Sequence, residues 1–161
     1  MRFSKVAMIL QGASLFVVTS ASFMTAHVAS ESKVFNCLGR RFTVADFAEE
    51  KNRAHRHIAE GNMISKASNI IEEEIRIDGE KNTILYSDAE TTRFYYYQLR
   101  GHSYVENHNG YDRHVKHSIL IDNLYRVSAM IIDEKWIARD GNVAANDKVI
   151  DKKPSFCSID H

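Results

Sequence analysis

Apolar positions recur with two different periods along this chain, and the change of period divides it. Val44, Phe47, Ala48, Ala54 and Ile58 return near the 3.6-residue period of a helix. They predict an amphipathic helix over Val44 to Glu60, with Phe47 and Ile58 on its buried face. Thr43 followed by Asp46 has the form of an N-terminal cap. Asp46, Glu49 and Glu50 fall early, and Arg53, Arg56 and His57 fall late, as the helix dipole favours. Gly61 is a natural stop. Beyond Gly61 the pattern becomes that of short strands. These are predicted at Ile70 to Ile77, Thr83 to Tyr86, Arg93 to Leu99, Ser118 to Ile121, Tyr125 to Ile132 and Lys135 to Arg139. Turns are expected at Asp78-Gly79, Asn109-Gly110, Asp133-Glu134 and Asp140-Gly141. Gly101 to His117 is polar and rich in His and Asn, and reads as a long loop. One early helix, the only long one, followed by strands predicts an α+β fold, with the helix packed on a central antiparallel sheet.

The start of the chain has a different pattern. Arg2 and Lys5 precede an apolar run from Val6 to Thr19, and small residues follow at Ser20-Ala21-Ser22 and again at Val28-Ala29-Ser30. That order predicts a secretory leader over residues 1–30, cut after Ser22 or Ser30, and a single domain over 31–161. The run is too short and interrupted for a good membrane span, and no membrane partner is expected. A secreted chain with only two cysteines, Cys37 and Cys157, predicts one disulfide between them. Without the leader's Arg2 and Lys5, 19 Lys and Arg face 21 Asp and Glu, a formal charge of −2. Nucleic-acid binders are usually basic, so non-specific RNA or DNA binding is disfavoured. There is no Asn-x-Ser/Thr glycosylation site, no repeat and no low-complexity segment.

Phe35-Asn36-Cys37 after the leader, then Gly39, Phe42 and the helix, later Tyr125-Arg126-Val127, the segment around Trp136, and finally Cys157 form an ordered series. The series resembles the ribonuclease-like secreted effectors of powdery mildew fungi, whose fold is similar to that of the fungal guanyl-specific ribonucleases. The resemblance spans Phe35 to Cys157. It implies a ribonuclease-like sheet, termini joined by the disulfide, and action inside or around a host plant cell to blunt immunity. A host protein is the implied target, and an immune receptor is a further candidate partner. No cofactor is implied.

The resemblance also implies where catalysis would sit. The Tyr-Tyr-Glu piece of active relatives, whose Glu is the general base, is matched by Tyr96-Tyr97-Gln98, and an amide cannot take the proton. The phosphate-holding Arg is matched by Arg126. The general-acid His has no counterpart around Trp136-Ile137-Ala138-Arg139, and Leu85-Tyr86-Ser87 stands where a Tyr-Pro-His piece is expected. Each general acid or base contributes about 10²- to 10⁴-fold, so the expectation is a pseudoenzyme with weak RNA binding or none.

Several residue groups carry two readings at this stage. His102, His108, His114 and His117 form either a solvated surface or, for His102 and His114, an alternative acid–base pair for an active endoribonuclease. A metal site is not expected, because three or four convergent ligands are missing from the spacing. Phe94 to Tyr97 either stack bases or pack a strand, with Phe94 and Tyr96 on one side and Tyr95 and Tyr97 on the other. Arg126 either touches phosphate or pairs with Asp122 or Glu134. Glu72 to Glu74 read as a solvated strand or loop, and Trp136 as core.

Overall fold

The computed structural model describes residues 23–78, 82–139 and 149–160. Its element order is β1 (Met24–Thr25), β2 (Val34–Cys37), β3 (Arg40–Thr43), α1 (Ala48–Ala59), β4 (Ser65–Ala67), α2 (Ser68–Asp78), β5 (Leu85–Tyr86), β6 (Arg93–His108), β7 (Tyr111–Asp122), β8 (Val127–Ala138), β9 (Val149–Asp151), β10 (Ser155–Phe156) and β11 (Ser158–Asp160). The class is α+β. The central sheet runs β10-β8-β7-β6-β4, with β9 beside β10 on β8. A smaller antiparallel sheet, β11-β2-β3, and a parallel β1-β5 pair complete it. Among the described residues no helix is long and apolar enough to cross a membrane.

The expected early helix is present, with a tighter first turn. Val44–Phe47 is 3₁₀ and Ala48–Ala59 is α-helical. Thr43 donates its backbone N–H (2.7 Å) and its hydroxyl (2.9 Å) to Asp46 Oδ2, which holds the Asp46 carboxyl below its usual range. Gly61 closes the helix at φ +72°, a conformation that favours glycine. Phe47 and Ala54 are buried and Ile58 partly so.

It is not the only helix. Ile70 to Ile77, expected as a strand, lies within α2. Ile71 and Ile75, one helical turn apart, are buried. The acidic run is therefore on a helix: Glu73 pairs with Arg76, Glu74 with Lys66, and Glu72 accepts from the Ser87 hydroxyl. The strand expected at Thr83 to Tyr86 shrinks to β5.

The largest departure is Gly101 to His117, which is hairpin and not loop. β6 and β7 pair from Phe94↔Asp122 to His108↔Tyr111, across Asn109 and Gly110 at φ +44° and +83°. Two positive φ values are what a two-residue hairpin turn demands, so the Asn-Gly turn itself was well placed. Cross-strand ion pairs stabilise the polar end: Arg113 reaches Glu106 and Glu134 at 3.1 and 2.9 Å. β8 is likewise one strand, with no turn at Asp133-Glu134; Lys116↔Asp133 and Val115↔Glu134 continue the ladder. Tyr125 is not in a strand but in the β7–β8 turn, at φ +63°. Asp122 builds that turn by accepting from the N–H groups of Leu124 and Arg126 at 3.0 and 2.8 Å. Trp136 lies outside both cores, half-buried beneath Lys152 (4.9 Å to the ring centroid) and Arg113 (5.4 Å). Gly79 and the Asp140-Gly141 turn lie outside the described residues.

The central sheet has a core on each face. Ile119 and Ile121 of β7, with Leu99 and Met130, pack against Phe35, Phe47 and the small sheet. Leu120, between them, joins Phe94 and Ile131 against Ile71, Ile75, Ile84 and Leu85. Cys37 and Cys157 are bonded and buried, with Cα atoms 4.7 Å apart. Ser158 lies opposite Asn36 in the β11–β2 ladder, so the ladder itself brings the two cysteines together.

Candidate functional site

On the α2 side of the central sheet the second core does not extend over the full face. A groove of about 970 Å³ remains between α2, the chain after α1, the strand face and the tail before β10. Its floor carries Phe94, Tyr96, Leu120 and Ile131, and its walls carry Ile64, Ile71 and Ile77. Ile64 is 91% and Ile77 73% exposed, so apolar surface continues out onto the rim. Side chains of one strand alternate between faces, and that rule places Tyr96 here beside Phe94. Tyr97 packs against the first core, its ring 6.2 Å from that of His57.

Tyr96 donates its phenol to Asp133 Oδ2 at 2.8 Å. Partial burial, with the neighbouring carboxylate adding to it, pushes the phenol pKa up to about 12. Next along the strand face is Gln98, opposite Ser118. It lines both the apolar groove and a polar recess of about 350 Å³, in which His114, Lys116, Asp133 and Asp151 also lie. The site is therefore an amphipathic trough, with Gln98 at the junction of its greasy and charged halves.

Arg126 is elsewhere and occupied. Its Nε donates to Asp122 Oδ2 (2.7 Å), and its two terminal nitrogens take the two oxygens of Asp88 at 2.9 and 3.1 Å. Of the two ion pairs foreseen, that with Asp122 forms, while Glu134 belongs to Arg113. Asp122 faces Phe94, four residues along β7 from the position facing Gln98. At the usual strand rise that is about 13 Å.

The histidines do not form one constellation. His102 faces the first core, between Phe42 and Phe47. His114 lines the polar recess on the other face. His102 Nδ1 lies 2.9 Å from Glu50 Oε2, and the Gly101 N–H donates to Glu50 Oε1 at 3.0 Å. His117 donates from Nδ1 to the His102 carbonyl at 2.7 Å, and burial lowers its pKa. Together they clamp a bulge: Leu99 pairs with His117 but Tyr104 with Val115, so residues 100–103 of β6 stand against Lys116 alone. A lone glycine inside a strand pattern is the signal that Gly101 carried for this bulge. Among the described residues no three His, Cys, Asp or Glu side chains converge as metal ligands.

No family model, curated protein or solved structure matches the chain.

Proposed function

We propose that the protein is a secreted effector that binds a host plant protein through the trough and does not cut RNA. The finer reading is a ribonuclease-like sheet that has lost its acid and base. The observation that carries it is the setting of Gln98. The position matched to the general base holds an amide at the centre of an open strand face, beside a tyrosine already bonded to Asp133. The engaged fork of Arg126 and the placement of His102 and His114 on opposite faces support the same reading. Catalysis by attack of a 2′ hydroxyl needs an acid and a base on either side of one phosphate. A groove walled by isoleucines suits apolar side chains better than a phosphate backbone, whose binding rests on cationic contacts.

Two assays test this. Purified protein is expected to leave total RNA intact from pH 5 to 8 and to bind single-stranded RNA weakly or not at all. Robust cleavage that disappears in His102→Ala or His114→Ala would move the function to the rival ribonuclease. Ile64→Asp with Ile77→Asp, at exposed positions, should abolish suppression of immune responses in leaf cells. Full suppression by that variant at an unchanged melting temperature sinks the trough as the binding surface.

A further inference from the structure

We infer that the leader is removed after Ser22, so that the mature protein begins at Phe23 and keeps residues 23–30 as a working part of the fold. This rests on the proposal that the protein is secreted.

Residues 23–30 are built into the domain. The Phe23 carbonyl accepts from the N–H groups of Ile84 (2.9 Å) and Leu85 (3.1 Å), and the Thr25 carbonyl from that of Ser87 (2.9 Å). β1 thereby covers β5 in parallel register, Met24↔Leu85 and Thr25↔Tyr86. The side chains of Phe23 and Met24 pack against the second core. Ile84, Leu85 and Tyr86 are almost fully buried with this segment in place. A cut after Ser30 would open them to water and leave the N–H groups of Ile84, Leu85 and Ser87 without these acceptors.

The same segment serves the charged cluster behind the β7–β8 turn. Lys33 is only 2% exposed. Its ammonium donates to the Val127 carbonyl at 2.6 Å and to His27 Nδ1 at 2.7 Å, and lies 4.7 Å from the Tyr86 ring centroid. His27 also stacks on Tyr86 and brings Nε2 to 3.3 Å from the buried Asp122 carboxylate. Removing His27 strips a buried cation of one of its two hydrogen-bond acceptors, which is costly at such a depth.

The sequence of the two sites points the same way. A leader peptidase needs small side chains one and three residues before the cut. Ser20 and Ser22 satisfy this directly after the apolar run, whereas Ser30 lies eight residues further along the chain.

The test is expression of the full chain in a secreting eukaryotic host, with N-terminal sequencing and intact mass of the protein in the medium. Phe23 is the expected first residue. Ser22→Leu should displace or block the cut, while Ser30→Leu should leave Phe23 in place. A secreted protein starting at Glu31, or at any residue other than Phe23, overturns the inference while secretion stands. A chain retained in the cell with Met1 intact overturns the secretion reading, and this one with it.

Discussion

His27 is held neutral by its neighbours. Lys33 donates to Nδ1, so the single ring proton sits on Nε2, toward Asp122. A second ring proton would have to displace the bond from Lys33. Burial first, then the positive charges of Lys33 and Arg126, lower the His27 pKa to about 4. In the unfolded chain it returns to about 6.5. Between those values the unfolded state binds a proton that the folded state refuses. The stability from this group is therefore complete above about pH 6.5 and is lost as pH falls toward 4. His117, lowered by burial, acts in the same sense. Thermal melts from pH 7 to pH 4.5 should show a falling midpoint, and His27→Gln, which keeps an acceptor for Lys33 but cannot titrate, should flatten the fall. Parallel curves for the two proteins would contradict this assignment. None of this was legible from the sequence, where His27 lay in a stretch that one of the two cleavage sites removes. The Arg126–Asp122 pair was legible only as one of three readings of Arg126, beside a phosphate contact and a pair with Glu134, and the tight β7–β8 turn decides among them.

At the scale of elements, the two helices show what periodicity can and cannot reveal. α1 was readable because its cap, its charge gradient and its apolar face agree. α2 was not, because isoleucines at 70, 71, 75 and 77 favour strands by their branching while the helical spacing of Ile71 and Ile75 pulls the other way. The packing of those two residues against Phe94 and Leu120 decides the matter. The outer half of the β6–β7 hairpin was hidden for a different reason. Its ladder is held by backbone hydrogen bonds and by surface ion pairs, neither of which needs an apolar stripe. Glu50 joins α1 to this hairpin at the bulge, and its removal tests that joint. Glu50→Ala should cost about 0.5 to 1.5 kcal/mol, the usual net worth of a hydrogen bond whose donors, here Gly101 and His102, can turn to water. Hydrogen exchange at the Gly101 amide should quicken in the same variant, and unchanged protection there would show that the bulge stands without α1.

Across the whole molecule, the candidate site is the least legible feature, because its walls come from segments far apart in sequence. Gln98 and Tyr96 could be singled out from their motif, but not Ile64, Ile77, His114 or Asp133 as their companions. The disulfide, by contrast, could be expected from the two cysteines and the leader-like start alone. It spans a sequence separation of 120 residues. By the chain-entropy model, opening a loop of that size costs about 4 to 5 kcal/mol. Cys37→Ser with Cys157→Ser should lower the denaturation midpoint accordingly, and a midpoint equal to that of the oxidised protein would show that the smaller sheet holds unaided.

The short β5 region also ties the two ends of the domain together. Thr83 accepts from the Ile159 N–H at 2.8 Å, and the next residue, Ile84, donates to the Phe23 carbonyl at 2.9 Å. The first and last strands among the described residues therefore meet at adjacent residues of one segment, which brings Phe23 and Ile159 close together. A few glycines and serines could join these ends, and the chain could then be reopened between Asn109 and Gly110. In such a circular permutant the hairpin tip would become the pair of new ends, with both cores and the trough left in place.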